Sequence, residues 1–248
     1  MHEFDGKVAI VTGAGSGIGR ATALAFATAG ARVLAADIDG RAAAETADLI
    51  VHAGGDAVAT TTDVASAEAV EAMVRRAVDG FGGLDFAVNN AGISGGRPGI
   101  DDFDETLYDR VMAINAKGVL LGMKYEIPAM LARGGGAIVN MASVAGLTGV
   151  GAFAYTASKH AIIGMTKVAA TRYAGRGIRI NAVCPGSVDT PMLARAAANN
   201  VAAATAIQPI GRSGAPEEIA AAALWLCSSQ ASFVVGHPLV VDGGKLAG

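Results

Sequence analysis

Cysteine is scarce in this chain of 248 residues, which holds only Cys184 and Cys227. Neither belongs to a metal or redox spacing. A disulfide framework and a CxxC centre are therefore excluded, and both cysteines read as small buried apolar side chains. Aromatic residues make up only 5%. No block of Lys or Arg stands out, and 19 basic against 22 acidic residues leave a net charge of −3. That sets aside nucleic acid and anionic membrane as partners. No apolar run reaches the roughly 18 residues of a membrane span. His2, His52 and His237 lack the spacing of metal ligands, so no metal is expected. Met1 to Lys7 leads straight into an apolar strand, with no basic segment before an apolar stretch, so no signal peptide is read. The expected compartment is reducing and cytoplasmic.

What the chain does have is alanine, glycine and a regular alternation of elements. The length allows two small domains or one large α/β domain. Lys7 to Thr12 is a continuous apolar run, as a central parallel strand should be. Helices are expected at about 18–29, 41–51 and 67–78, with strands at 32–36, 57–62 and 84–88 between them. A long helix is expected from about Asp104 to Leu131, kinked near Gly118 or Gly122 and broken near Pro128. A strand at 137–141, a helix reaching about Ala174, and a strand at 179–183 follow. A helix then starts at Pro216 and ends near Cys227, and a last strand covers 238–241. Nothing marks a linker or repeat. The expectation is α/β: a single doubly wound Rossmann-type domain over 1–248, with a parallel sheet of about seven strands and helices on both faces.

The first strand runs into Gly13-Ala14-Gly15-Ser16-Gly17-Ile18-Gly19, and a helix follows. In that setting glycines let the backbone approach a pyrophosphate at a helix N-terminus. The spacing is Gly-x-x-x-Gly-x-Gly, at 13, 17 and 19, not the commoner Gly-x-Gly-x-x-Gly. The second strand ends at Asp37, 24 residues after Gly13. There a carboxylate accepts from an adenosine 2′-hydroxyl and repels a 2′-phosphate. Ile38 follows, and no Arg or Lys lies within the glycine turn, so NAD is favoured over NADP. The bland alternative for Asp37 is a cap on the next helix. Asp63, at the end of the third strand, either bonds the adenine amino group or caps the helix near Ser66.

Tyr155 and Lys159 lie four apart on an expected helix and so share a face. A tyrosine needs a shift of about 3 units, or about 4 kcal/mol, to act as a base near pH 7. One positive charge at about 4 Å in an effective dielectric of about 20 supplies that much. A tyrosine tuned in this way takes a proton from an alcohol or gives one to a carbonyl oxygen. Ser143, at the end of the fifth strand, is placed to hydrogen-bond the same oxygen. His160 follows Lys159 but points about 100° away on a helix and reads as structural.

Thr12-Gly13-x-x-x-Gly17-x-Gly19, Asn89-Asn90-Ala91-Gly92 and Ser143…Tyr155-x-x-x-Lys159 occur in that order. Over Lys7 to Gly244 the chain resembles a classical member of the short-chain dehydrogenase/reductase family. The resemblance implies that Asn115, within Ile114-Asn115-Ala116-Lys117-Gly118, binds a water linking Lys159 to solvent. The alternative is an ordinary buried Asn bonded to a carbonyl. It implies that Gly186, Val188 and Thr190, in the turn from Pro185, hold the nicotinamide carboxamide. The cofactor-side candidates are then Gly13, Ser16, Gly17, Ile18, Gly19, Asp37, Ile38, Asp63, Val64, Asn90, Ala91, Gly92, Tyr155, Lys159, Pro185, Gly186, Val188 and Thr190. The catalytic candidates are Asn115, Ser143, Tyr155 and Lys159. One departure stands out: eleven residues separate Ser143 from Tyr155, where the family often has one more. That concerns the shape of the pocket.

The expected function is NAD-dependent hydride transfer between nicotinamide and a secondary alcohol or ketone. Residues 94–98, 144–152 and 187–207 are mostly small and apolar, with Arg97, Asp189 and Arg195 as their charges. They suit a small or medium alcohol, diol or ketone. Met192 to Ile207, in a segment at about 190–212, reads as a lid over substrate, or else as a static surface helix. Two rivals remain: an NADP-dependent 3-ketoacyl reductase, which should carry a basic patch, and a non-catalytic NAD-binding scaffold, which need not keep all four catalytic candidates. The resemblance also implies a homotetramer, with helices 104–131 and 153–174 at one interface and the last strand at another.

Overall fold

The structure, a computed structural model, describes residues 3–96, 99–196 and 208–247. Arg97 and most of the expected lid lie outside the described residues. Seven strands form one parallel sheet in the order β3-β2-β1-β4-β5-β6-β7. They are β1 (Val8–Thr12), β2 (Arg32–Asp37), β3 (Ala57–Thr61), β4 (Phe86–Asn89), β5 (Gly136–Met141), β6 (Ile178–Pro185) and β7 (Pro238–Val241).

The strands read as near-continuous apolar runs because both faces are covered. Along β1, Val8 and Ile10 point into one core, and Ala9 and Val11 into the other. Helices α3 (Ala67–Phe81), α5 (Gly118–Ala132) and α6 (Phe153–Tyr173) close the first core. Helices α1 (Gly17–Thr28), α2 (Gly40–His52) and α8 (Pro216–Cys227) contribute to the second. Fully buried side chains such as Ile10, Leu34, Phe26 and Ile180 anchor these layers, each stabilising the fold by about 1.5–3 kcal/mol through burial. Register puts Ile10 between Leu34 of β2 and Ala87 of β4.

After β1 the chain builds outward to β3, then returns to lay β4 on the other side of β1. The connections that leave the carboxyl ends of β1 and β4 therefore run in opposite directions, and the crevice between them is the place where open α/β sheets hold ligands.

The expected long helix takes a different form. Helix α4 (Glu105–Val111) passes into a π-helical turn at Met112–Lys117 and then into α5. The irregularity lies just before Gly118 and not at Gly122. Pro128 does not break α5, which continues to Ala132. Pro128 and Lys124, whose carbonyl loses its helical donor there, are both exposed, so water faces the defect. The two glycines serve contact instead. A Cβ on Gly118 would meet Val64 at 2.9 Å, and one on Gly122 would meet Asn89 Oδ1 at 2.4 Å.

Candidate active site

The glycine turn is shaped at Gly13 and Gly19. Gly13 has a φ of 66°, and a Cβ on Gly19 would lie 2.0 Å from the Gly13 carbonyl oxygen. A larger residue at 19 would fill the cradle. Ser16 precedes α1 but makes no capping bond with its side chain, so the first N–H groups of α1 stay open to an anion. Gly17 lies against Thr190, with a Cβ there 3.1 Å from Thr190 Cγ2. Ile18 packs against the second core. These features fit a dinucleotide pyrophosphate.

Asp37 is not the cap of α2; Asp39 is, accepting from the Arg41 and Ala42 N–H groups at 3.1 Å. Asp37 Oδ2 accepts from Gly15 N at 2.8 Å, and its Oδ1 accepts from Asp39 N at 3.0 Å. Each oxygen retains a lone pair for a further donor. Ile38 is exposed beside it. Asp63 is exposed and accepts from Ala65 N at 2.9 Å; Ser66 is the cap of α3. Val64 is buried against the first core.

Past β4, Asn90 faces the glycine turn. Its Nδ2 donates to Thr12 O at 2.9 Å, and the Asn90 and Ala91 N–H groups both donate to Thr12 Oγ1, at 3.0 and 3.1 Å. Gly92 lies close to Asn115, with a Cβ there 3.2 Å from Asn115 Oδ1. Asn115 is fully buried in the π turn. Its Oδ1 accepts from Ile93 N at 2.8 Å; its Nδ2 donates to Ile93 O at 2.9 Å and to Ser158 Oγ at 3.1 Å. Ser158 in turn donates to the Tyr155 carbonyl at 2.7 Å. The Asn115 side chain thus ties the turn after β4 to α6.

Ser143, Tyr155 and Lys159 do converge. Ser143 starts the short 3-10 turn at Val144–Gly146 and accepts from Ala145 N at 3.2 Å. Its side chain also hydrogen-bonds the Tyr155 phenol. Lys159 Nζ lies 5.3 Å from the centre of the Tyr155 ring and donates to Met141 O at 2.7 Å. The expected lowering of the tyrosine pKa is corrected here. Burial pushes the Tyr155 phenol above its ordinary 10, with the Ser143 bond opposing. Burial also brings the Lys159 ammonium down to about 8. The ammonium lies over the ring and is anchored on a carbonyl, and removal from water penalises both charged forms.

Pro185 ends β6, and the turn beyond it is held by backbone. Gly186 N donates to Val241 O at 3.0 Å, and Asp189 N to Gly214 O at 2.9 Å. Thr190 Oγ1 donates to Val188 O at 3.3 Å and accepts from Leu193 N at 3.2 Å, on helix α7 (Pro191–Ala196). Val188 is buried. Sequence reasoning missed Gln208. It is buried, accepts from Ser187 N at 2.5 Å and donates to Arg212 O at 2.6 Å, bracing this turn. It also missed that Cys184, expected to be merely buried, lies beside Tyr155, Lys159 and Ser143, with its thiol raised to about 11 by burial. No local pattern announces either contact. His160 is exposed and bonds the Thr156 carbonyl of its own helix. Among the described residues, no cluster of His, Cys, Asp and Glu is arranged to hold a metal.

The model of a family described as enoyl-(acyl carrier protein) reductase matches residues 13–245. The chain belongs to the short-chain dehydrogenase/reductase family. It is 46% identical over 243 residues to cyclohexanol dehydrogenase of Acinetobacter sp. (strain SE19), covering 98% of this chain and 96% of that one. It is 45% identical over 252 residues to 2,5-dichloro-2,5-cyclohexadiene-1,4-diol dehydrogenase of Sphingobium indicum, covering all of both chains. A solved structure described as an NAD(P)-dependent gluconate 5-dehydrogenase of Beutenbergia cavernae, with NADP at low occupancy, superposes with a TM-score of 0.93 at 39% identity, covering 99% of each chain. The chain is therefore an oxidoreductase of a family that binds a nicotinamide cofactor. No described helix is long and apolar enough to cross a membrane.

Proposed function

We propose that this chain is an NAD-dependent dehydrogenase of small alicyclic secondary alcohols. The observation that carries the reading is the convergence of Ser143, Tyr155 and Lys159 at the ends of β5 and β6, beside the crevice that the glycine turn lines. Its relatives named for cyclohexanol and a cyclohexadiene diol support a six-membered ring carrying the reacting carbon. The exposed apolar Leu147 and Val150, between Ser143 and Tyr155, suit such a ring.

The open N–H groups of α1 would hold the pyrophosphate, Asp37 and Ile38 the adenosine ribose, and Asp63 and Val64 the adenine. Asn90 to Gly92 and the turn from Pro185 to Thr190 would hold the nicotinamide half. When bound, the oxidised nicotinamide supplies a hydride acceptor and a positive charge. Tyr155 takes the proton of the substrate hydroxyl as its carbon is oxidised and returns it in the reverse direction. Ser143 holds the reacting oxygen by a hydrogen bond. Lys159 orients the ribose and adds its charge beside the Tyr155 ring. Because the Asn115 side chain is engaged with Ile93 and Ser158, its part in a proton relay falls to its backbone carbonyl. The segment at about 190–212 acts as a lid over the substrate within one catalytic domain.

NAD is favoured because a carboxylate, not a cation, stands at the end of β2. Arg20, just after Gly19, donates instead to Thr46 Oγ1 at 3.0 Å and Glu45 at 3.4 Å. We also propose a cytoplasmic homotetramer. Exposed Leu120, Phe153 and Val168 on α5 and α6, Phe233 in the segment before β7, and Val240 on β7 are the surfaces that support it.

The test is absorbance at 340 nm with cyclohexanol, cyclic diols, sugars and steroids, each with NAD and with NADP. Turnover of cyclic alcohols is expected, with kcat/KM at least about tenfold higher for NAD, as one charge contact of about 1.4 kcal/mol would give. Preference for NADP would overturn the Asp37 argument and bring forward an acyl-carrier-linked reductase, the reading that the matched family's description favours. Silence with every substrate, alongside NAD binding by calorimetry, would leave a scaffold.

A further inference from the structure

A buried polar network that the proton chemistry does not use runs behind the site. Glu126 on α5 is fully enclosed. Its Oε2 accepts from Asn89 Nδ2 at 3.0 Å, and the same amide donates to Asn140 Oδ1 at 3.1 Å. Asn140 Nδ2 donates to Thr166 Oγ1 at 3.0 Å and lies 3.4 Å from the Met123 sulfur. Asn89, Asn140 and Thr166 are buried as well. The second Glu126 oxygen, Oε1, has no hydrogen-bond partner among the described residues.

The placement matters more than the burial. Asn89 ends β4, and the next residue, Asn90, is the one that grips Thr12 and the glycine turn. Asn140 precedes Met141, whose carbonyl anchors Lys159. Thr166 lies on α6, about two turns beyond Lys159. Glu126 itself sits on the helix that continues from the π turn of Asn115. Directly through Asn89 and onward through Asn140, one carboxyl group is therefore linked to the segments that carry Asn90, Met141 and Lys159.

We infer that Glu126 is a positioning residue that works as a neutral carboxylic acid. Through Asn89 it fixes the Asn90–Gly92 turn against the glycine turn, and its ionisation loosens that register. The inference rests on the reading of the glycine turn as a nicotinamide cofactor site.

A carboxylate wants several donors, whereas a neutral acid carries no charge, needs one donor for its carbonyl oxygen and itself offers an O–H. Here Asn89 supplies one. Among the described residues no cation pairs with Glu126. Lys117 and Lys124, on its own side, are exposed, as are Glu71, Arg75 and Arg76 of α3 and Lys167 of α6. Lys159 of α6 is engaged with Met141, and Arg179 of β6 with the carbonyls of Leu226, Cys227, Ser228 and Ala231. From β4 it meets Asn89, and through that amide Asn140 of β5, neither of which titrates. Burial accordingly pushes Glu126 from 4.5 up to about 7, with the Asn89 bond opposing. Below about 4.5 both folded and unfolded chains hold this proton; between 4.5 and about 7 the unfolded chain loses it first, so stability falls as pH rises, and above about 7 the loss is complete.

The test uses full-length wild type, Glu126→Gln and Glu126→Leu. NAD and NADP are titrated by calorimetry, and thermal unfolding is followed on the same samples from about pH 5 to about pH 8. Gln mimics the neutral acid. It should bind cofactor as the wild type does near pH 6, and its Tm should gain on the wild type by several degrees as pH rises. Leu removes the acceptor for Asn89 while keeping the site apolar. It should hold its Tm yet bind cofactor about tenfold more weakly, a size typical of coupling through a packed network. A purely structural role would lower affinity only together with Tm. Wild-type affinity in Glu126→Leu, or a Gln-minus-wild-type Tm difference that stays flat across the pH range, overturns the inference. Failure of the wild type to bind either cofactor overturns both the inference and the site reading; wild-type binding with unaltered variants defeats the inference alone.

Discussion

The two sides of the crevice are built differently. Toward β3, Ser16, Ile18, Asp37, Ile38 and Asp63 are exposed or half-buried, and the groups offered are backbone N–H donors and carboxylates. Toward β6, Asn115, Ser143 and Lys159 are buried, and burial moves the pKa values of Tyr155 and Lys159 in opposite directions. The first side suits recognition of a charged dinucleotide by a pre-shaped surface. The second suits proton transfer, where removal from water makes each nearby charge count for more. On the proposed function, binding and chemistry are separable in this site, and substitutions should separate them.

The largest effect should come from the buried side. Tyr155→Phe removes the proposed proton carrier and should lower kcat about a thousandfold or more, within the range known for general acid–base groups. NAD affinity by calorimetry should stay near the wild-type value; joint loss of both would break the distinction. Ser143→Ala comes next. Loss of one donor to the reacting oxygen should lower kcat about a hundredfold, and steady-state kinetics should show little change in the KM for NAD.

On the open side the sign reverses. Gly19→Val drives a side chain into the Gly13 carbonyl. It should raise the KM for cofactor far more than it lowers kcat at saturation, provided circular dichroism shows an intact fold. Asp37→Asn should be milder: a loss of about tenfold in kcat/KM for NAD relative to NADP, the worth of about one charge contact. An unchanged ratio would show that Asp37 serves only to hold Gly15. Smallest is Pro128→Ala, which restores a donor for the Lys124 carbonyl. It should raise Tm by about 2–4 °C for each kcal/mol gained and leave both kcat and NAD affinity alone.

Most of the exposed side was legible in the sequence because its signals are local. Glycines at 13, 17 and 19 between an apolar strand and a helix identify the turn, and a carboxylate at a strand end identifies Asp37. Ser143, Tyr155 and Lys159 were legible by type and spacing. Their electrostatics were not, because the strength of the ammonium depends on where Lys159 anchors, and that is set by the Met141 carbonyl of another strand. Pro128 misled for a related reason: propensity describes an isolated helix, and the missing donor falls on the solvent face of α5, where both Lys124 and Pro128 are exposed residues. Gln208, Cys184 and the Glu126 network carry no pattern in the chain, since their partners lie on other elements and are brought to them only by the fold.

The most direct test of the account is to follow the hydride. Cyclohexanol deuterated at its carbinol carbon would be incubated with the wild-type protein and NAD, and the reduced cofactor analysed by mass spectrometry. The account predicts one deuterium in each reduced cofactor molecule. Reduced cofactor without deuterium, or no reduction across the whole panel of cyclic alcohols, would contradict it.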